Sequence, residues 1–450
     1  MKNMSTKFLR TALLLPLVVG GFVANSQTIS TAPTVTLAAA DNHAKVTKTD
    51  AKKDSATTVV ELNKKKADPT DTAFKPVRRL WGYAFGDAYY KQHADALNRG
   101  GSNQYTGIAA NRNGMQMRRI YLGYDYDINK KFSAEVLLAA EDNETTSIIN
   151  GAPSTTTGDL LSDNKMTFYI KLLNLRVHDV WRGADLVIGQ VSTPAFPLLS
   201  EKIWAYRDIE RTVTDIRRTP SYDLGATIQG TFDPDTKNYG YNLMVGNGTS
   251  AKPETDGNKW YYGDIWAKFL DKKIILDFYA DYEKLTYNTA TANSVSRNMF
   301  KGYIAYTTPV FTFGVEAFTN LLKNGASVVN AAKVKSQENQ TAQAISIYAH
   351  GRILRDKNSN GDKLGYFVRF DNYNPDTKFD ADHGVYTGLV SNYDPNTKEK
   401  FFTGGLDWQP YKNIHFMPNV YYNGYTSNVP GVDKGHDLVY RATFFFQFGK

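Results

Sequence analysis

The sequence predicts an all-β protein, a transmembrane antiparallel β-barrel of about sixteen strands. Three observations predict this fold. Segments of roughly 10–13 residues alternate between apolar and polar side chains, the connections between them alternate between short and long, and the chain begins with the pattern of a secretion signal. A soluble sandwich has no reason to keep short turns at one end and long loops at the other. A membrane barrel with short periplasmic turns and long external loops does.

Residues 1–26 have the parts of a signal peptide. Lys2, Lys7 and Arg10 give a positive start, an apolar run of about 14 residues follows over 11–24, and small residues for cleavage come next. The run is too short to span a bilayer as a helix. We therefore expect the mature protein to leave the cytoplasm, and a barrel then belongs in the outer membrane of a Gram-negative bacterium.

Residues 27–78 form a polar leader of low complexity, with too little apolar surface to fold alone. Residues 1–79 hold 13 of the 53 basic and 6 of the 45 acidic residues, which leaves 40 basic and 39 acidic for the rest. The net charge of +8 therefore belongs to a tail, and no nucleic-acid partner is expected. The barrel is expected over residues 79–450. The absence of cysteine excludes disulfides and thiolate metal sites.

The period-two alternation locates the strands. In KIILDFYADYE (273–283), Ile274, Phe278 and Tyr282 share one face while Asp277 and Asp281 share the other. Candidate strands begin near Arg79, Gln116, Phe132, Lys165, Ala184, Asp223, Asn238, Lys259, Lys273, Arg297, Val310, Ala342, Lys363, Lys400, Asn413 and Gly435. The long connections are expected at about 92–113, 143–164, 194–222, 320–341 and 375–398.

One segment departs from the alternation. KMTFYIKLLNLRV (165–177) is apolar on both faces around Lys171. A wall covered by an in-folded loop, a subunit contact or a misplaced boundary would each explain it.

Sixteen strands enclose a water-filled lumen rather than a packed core. Slipping a strand by one residue would turn its lumen charges to lipid, at about 2–4 kcal/mol each near the midplane, so the register is strongly enforced. Each lumen charge can also be a wall charge paired across the barrel. The residues assigned to the lumen are Arg119, Asp125, Glu135, Lys268, Asp277, Asp281, Arg369, Asp371 and Arg441, of which Arg119, Lys268, Arg369 and Arg441 are candidate site residues.

The third long connection contains YRDIERTVTDIRR, residues 206–218. If this stretch is helical, Arg207, Arg211 and Arg218 share one face; with Arg217 they are the candidate residues of an anion-binding constriction. The alternative is that Asp208–Arg211 and Asp215–Arg218 are self-satisfied pairs three residues apart.

Segment 184–215 resembles the phosphate-selective porin O/P family. The resemblance rests on Gly189-Gln190, Thr193-Pro194, Phe196 and Glu210-Arg211; Ala195 between the proline and the phenylalanine departs from the pattern. It covers about 40 residues and elsewhere rests on strand rhythm. In many general porins the third external loop folds into the barrel and narrows it. The resemblance thus implies a porin, with phosphate as one candidate anion.

The sequence therefore predicts a porin for passive diffusion of small hydrophilic solutes and ions, with a modest anion preference set by the third loop. Its expected partners are outer-membrane lipids and the solutes themselves. Porins of this shape are often trimers, which makes a homotrimer the assembly to expect. No cofactor or metal site is predicted, because the histidines form no ligand pair and the acidic turn at 356–362 has Phe367 where calcium needs a bidentate glutamate.

Three alternatives remain open at this point. One is a plugged outer-membrane receptor or adhesin without channel activity. Another is an outer-membrane enzyme, which would need a nucleophile with a placed histidine; no such set is found. The last is a fatty-acid-type transporter, for which the lysine-rich leader is a poor plug.

Overall fold

The computed structural model describes residues 74–449 except 101–104, 106, 142–144, 150–151, 157–165, 218–219, 255, 286–293, 330–331, 334, 356–361, 381–384 and 387–395. The predicted signal peptide, the leader up to residue 73 and the acidic turn at 356–361 lie outside the described residues. Among the helices in the described part, none is long and apolar enough to cross a membrane.

The described residues form nineteen strands and two short helices. The strands are β1 (Arg78–His93), β2 (Arg112–Asp127), β3 (Phe132–Glu141), β4 (Thr145–Ile149), β5 (Ala152–Thr156), β6 (Tyr169–Trp181), β7 (Ala184–Ser192), β8 (Tyr222–Thr231), β9 (Tyr239–Gly246), β10 (Trp260–Phe269), β11 (Ile274–Lys284), β12 (Ser296–Thr307), β13 (Phe311–Val329), β14 (Lys335–Arg355), β15 (Asp362–Asn374), β16 (Val385–Tyr386), β17 (Thr397–Tyr411), β18 (Ile414–Ser427) and β19 (Gly435–Phe448). The helices α1 (Ser200–Trp204) and α2 (Val213–Ile216) lie between β7 and β8.

Sixteen of these strands form a closed antiparallel barrel. They follow chain order around the wall, and β19 pairs with β1 from Gly82↔Phe448 to His93↔Leu438. Closure leaves no sheet edge, so every wall strand has a hydrogen-bonding neighbour on both sides, as a lipid environment requires. The β4–β5 hairpin and the short β16 stand outside the ring of sixteen. This architecture confirms the predicted fold class.

The two faces of the wall follow the predicted alternation. On β11, Phe278 is 65% exposed while its neighbours Asp277 and Tyr279 are 0% and 2% exposed. Large apolar side chains on the outer face stay exposed on strand after strand, among them Ile265, Phe300 and Tyr440. This outer apolar surface suits contact with lipid, and the charged residues collect on the inner face.

A β-bulge explains the doubly apolar segment around Lys171. The β3–β6 register shifts between Leu137↔Leu172 and Leu138↔Ile170, which leaves Lys171 without an opposite partner. Lys171 and Leu172 are consequently both buried, while Ile170 and Leu173 are about half exposed. The apolar residues on both faces therefore come from one extra residue in the strand.

The connection predicted over residues 320–341 is wrong. β13 continues to Val329 and β14 begins at Lys335, so most of that segment is strand. A shift in register between Leu322 and Ala326 allows the pairing to resume beyond residues 323–325. The irregularity obscured the alternation in the sequence, which is why the strands were predicted too short.

Candidate pore constriction

Residues 193–221, here called the constriction loop, join β7 to β8, and the residues of this loop that the structure describes lie inside the barrel. The base of the loop is closed where Thr193 donates its amide to the Ser221 carbonyl (3.1 Å) and its hydroxyl to the Pro220 carbonyl (2.7 Å). Gln190, one residue of the Gly-Gln element, donates its side-chain amide to the Ile170 and Lys171 carbonyls at 2.8 Å each. The Gly-Gln and Thr-Pro elements therefore fix the strand end and the loop base.

Apolar side chains anchor the loop to the inner wall. Trp204 and Ile209 are 1% and 0% exposed and pack in a cluster with Tyr303, Tyr348 and Phe367 of the wall. The Trp204 and Tyr348 rings meet edge to face with centroids 4.9 Å apart. Apolar residues in an otherwise charged loop are the sequence signal for this burial.

Three wall arginines from three strands, Arg118, Arg369 and Arg441, form what we call the arginine clamp. Each donates a hydrogen bond to the backbone of the constriction loop. The bonds run from Arg118 Nη2 to the Asp208 carbonyl, from Arg441 Nη2 to the Ile209 carbonyl (3.2 Å), and from Arg369 Nη1 to the carbonyls of Glu210 (3.4 Å) and Arg211 (2.5 Å). Four consecutive carbonyls are thus held by guanidinium groups, which are strong donors with fixed geometry.

Each clamp arginine is also fixed at a second point. Arg118 pairs with Asp87 at 2.5 Å, Arg369 with Asp371 at 2.5 Å, and Arg441 Nε donates to Asn419 Oδ1 at 2.6 Å. All three guanidinium groups lie over aromatic rings, at centroid distances between 4.9 and 5.7 Å. Arg369 and Arg441 lie on the inner face of the wall, within reach of the loop backbone. Arg118 was missed because a bulge between Phe85 and Gly86 turns it to the same face as Arg119.

The loop arginines Arg207 and Arg211 lie beside carboxylates. Arg207 pairs with Glu201 and, at 2.8 Å, with Asp215. Arg211 stands 3.8 Å from Asp215 and 3.9 Å from Glu210. These partners differ from the expected Asp208–Arg211 pair. The two arginines keep 14% and 22% of their side-chain surface exposed, while Lys202 in α1 of the same loop is more exposed than either.

Arg217 and Arg218 are the other two candidate arginines of the constriction loop. Arg217 binds Glu399 of β17 at 2.8 Å and lies over the Tyr373 ring at 4.1 Å, with 6% of its side chain exposed. Arg218 lies outside the described residues. The geometry therefore ties Arg217 to the wall.

The described part of the stretch 206–218, residues 206–217, does not form one helix. α2 spans Val213–Ile216 and begins where the Thr212 hydroxyl accepts from the Asp215 amide at 3.3 Å. Before it the chain makes a turn, and the carbonyls of 208–211 accept hydrogen bonds from the clamp. Threonine at 212 favours a helix start over a helix interior. The predicted stripe of arginines is therefore absent from the described part of this stretch.

The other two predicted lumen cations occupy different places. Arg119 is 6% exposed, 3.6 Å from Glu141, which also binds Lys171 at 2.5 Å. Lys268 is on the inner face but at the end of β10, next to the turn, with its ammonium 4.7 Å from the Trp266 ring centroid. Arg119 is thus paired with a carboxylate of the neighbouring wall strand, whereas Lys268 is near the short-turn end.

The opposite part of the wall is acidic. Asp264, Asp277 and Glu316 are each no more than 2% exposed, and Lys301 is bound to Asp277 at 2.9 Å. Lys301 also donates to the Ala195 carbonyl of the loop. Glu316 accepts from the Thr214 amide (3.2 Å) and hydroxyl (2.5 Å). The loop therefore bridges an arginine-rich wall and a carboxylate-rich wall.

Burial changes the protonation of loop carboxyls. Burial raises the pKa of Asp208 to about 6; Asp407 adds to the rise, and His415 and Arg118 oppose it. For Asp215, burial acts to raise the pKa, but Arg207 and Arg211 outweigh it and the net pKa is lowered. With a pKa of about 6, Asp208 is therefore a loop group whose charge changes close to neutral pH.

Comparisons with known proteins agree with this architecture. The chain is similar to OmpF of Salmonella typhi (TM-score 0.51, 11% identity, 82% of this chain and 97% of that one). It is also similar to the outer membrane channel DcaP of Acinetobacter baumannii (0.54, 10%, 83% and 97%) and to the anion-selective porin from Comamonas acidovorans (0.52, 10%, 83% and 100%). No protein-family model matches the chain, and no curated protein does. The solved neighbours share its fold, a barrel of the outer-membrane porin type.

Proposed function

We propose that this chain is an outer-membrane porin through which small hydrophilic solutes and ions diffuse passively. The observation that carries the proposal is a closed sixteen-stranded barrel whose constriction loop is bound to the inner wall by the arginine clamp. The loop sets the size limit and the charged inner wall biases ion sign.

Residues 1–26 are proposed as the export signal and residues 27–78 as a leader on the lipid-embedded barrel. A homotrimer is the proposed assembly.

The finer part of the proposal is a modest anion preference, with phosphate among the candidate ions. Support comes from Arg207 and Arg211, whose side chains keep access to the lumen. Each faces Asp215, so their net field is small, and at physiological salt charges beyond about 8 Å are screened. The preference is therefore expected to be weak.

The test is a planar bilayer recording under a salt gradient. Purified protein should form channels whose reversal potential has the sign of anion preference, and Arg207→Ala with Arg211→Ala should move it toward zero. The matched control is Arg182→Ala, which removes an exposed arginine outside the lumen. A potential indifferent to the loop substitutions would leave a porin without loop-set selectivity. Folded protein that never conducts would contradict the proposal and favour the plugged receptor.

A further inference from the structure

Tyr105 reaches into the lumen from the first long connection, residues 94–111. The side chain is 0% exposed, and its hydroxyl donates to Asp87 Oδ2 at 2.7 Å. Its backbone carbonyl accepts from Lys91 Nζ at 2.6 Å, and its ring meets that of Tyr421 edge to face at 5.3 Å. A residue of a second loop is therefore fixed inside the barrel.

Tyr105 is linked to two members of the arginine clamp, to Arg441 by direct contact and to Arg118 through a carboxylate. Asp87, which accepts its hydroxyl, is the carboxylate that binds Arg118. The Arg441 guanidinium lies 5.7 Å from the centroid of the Tyr105 ring. Tyr105 thus acts on Arg118 through Asp87 and on Arg441 directly. These two arginines hold the carbonyls of Asp208 and Ile209.

We propose that Tyr105 is a positioning residue for the constriction loop. Its hydroxyl and ring keep Arg118 and Arg441 in the orientation from which they bind the loop backbone. The inference rests on the proposed function in taking that loop as the size limit. Without the Tyr105 side chain, Arg441 loses the ring as a packing partner and Asp87 loses the hydroxyl as a donor. The loop then leaves the wall more often.

The first experiment measures release of the loop without any current. The chain has no cysteine, so Thr214→Cys gives a single thiol at a loop position that is 0% exposed. We expect Tyr105→Ala to speed labelling at position 214 by a maleimide about tenfold, the change that losing one hydrogen bond to a charged group produces. Tyr105→Phe, which keeps the ring, should give a smaller increase. Tyr90→Ala on the outer face is the control.

Unchanged labelling in Tyr105→Ala would overturn the inference. The electrophoretic shift of the folded barrel on heating shows that each variant is folded, and Tyr105→Phe serves if Tyr105→Ala fails to fold. Because labelling needs no current, a wild-type protein that never conducts contradicts the proposed function while labelling still decides the role of Tyr105.

The second experiment separates positioning from simple obstruction. Tyr105→Ala should raise the single-channel conductance and its fluctuation. Thr214→Cys and Glu316→Cys, joined by a short bifunctional thiol reagent, tether the loop to the wall where those two side chains are in contact. If Tyr105 positions the loop, the tethered Tyr105→Ala protein should have the same conductance as the tethered protein that retains Tyr105. An increase that persists with the tether in place would mean that the ring itself blocks the pore, and the inference would fail.

Discussion

Asp208 has a backbone carbonyl fixed by a hydrogen bond and a side-chain carboxyl that is buried among other titratable groups. Its carbonyl is held by Arg118, while its carboxyl is in a buried environment shared with Asp407 and His415. The backbone contact fixes the residue whatever its charge, so the carboxyl remains buried when it ionises. Because the pKa of Asp208 is about 6, its carboxyl ionises within a pH range in which the folded protein can be measured.

Lowering the pH from 7 to 5 should neutralise Asp208 and shift the reversal potential toward anions. Asp208→Asn should remove this part of the pH dependence, because the amide carries no charge at either pH. The measurement is the reversal potential at several pH values. Asp235→Asn, in an exposed turn, serves as the control and should keep the wild-type profile. A wild-type profile in Asp208→Asn would show that another group titrates.

The same group predicts a pH-dependent stability. The folded-state pKa is above the ordinary value of about 3.9, so the stabilising contribution is complete only below that value and is lost as the pH rises through 6. Asp208→Asn should therefore raise the free energy of unfolding by about 3 kcal/mol at pH 8 and change it little at pH 4. Denaturant unfolding at the two pH values tests this, and an equal gain at both would contradict it.

Lys301 and Asp277 form a fully buried ion pair, with both side chains 0% exposed. Lys301→Met should destabilise the barrel by about 3–5 kcal/mol, because Asp277 is left as an uncompensated buried charge. Adding Asp277→Leu should recover most of this loss. The exposed pair Arg182–Asp235 is the control, and its removal should cost less than about 1 kcal/mol. Additive losses at 301 and 277 would show that the two groups do not interact.

At the level of the element, local alternation specifies the strands. Most strand starts were predicted within a residue or two, because inner and outer faces have opposite polarity and a one-residue slip exchanges them. Two departures from the alternation have local causes: an extra residue at Lys171 in β6, and the interrupted pairing between Leu322 and Ala326 on β13. Bulges break the period-two pattern from which strands are predicted.

Depth in the membrane should decide the cost of an outer-face charge. Phe278→Arg, in the middle of β11, should cost about 2–4 kcal/mol of folding free energy in a bilayer. Phe232→Arg, in the turn between β8 and β9, should cost at most about 1 kcal/mol although that side chain is equally exposed. Unfolding measurements in lipid vesicles compare the two, and equal costs would mean that the outer apolar surface of β11 does not meet lipid.

For the whole molecule, closure depends on the pairing of β1 with β19. Ala88 and Ala442 are opposite each other in that pair, and paired residues of antiparallel strands bring Cα atoms within about 5.5 Å, a distance that suits a disulfide. Ala88→Cys with Ala442→Cys should form a disulfide only in the folded barrel, seen as a mobility change on non-reducing gels. The matched control is Ala88→Cys with Phe446→Cys, four residues out of register. A disulfide in the control but not in the matched pair would refute the register.

The candidate site was less predictable than the barrel. Arg369 and Arg441 were assigned to the lumen from strand alternation, yet their partners are loop carbonyls 158 to 232 residues away in sequence. Period and composition contain no information on such distant pairs. The burial of Trp204 and Ile209 was available as a signal, because apolar residues in an otherwise charged loop must be covered by something.

The arginine clamp has a consequence for how this pore can change over evolution or by design. Its bonds end on main-chain carbonyls, so the side chains at 208, 210 and 211 can be exchanged without deleting any of them. Hydrogen bonds to the backbone therefore fix the path of the loop, while its side chains determine which groups are exposed to the lumen. A library randomised at these three positions should retain folded barrels in most members and differ mainly in which solutes they admit.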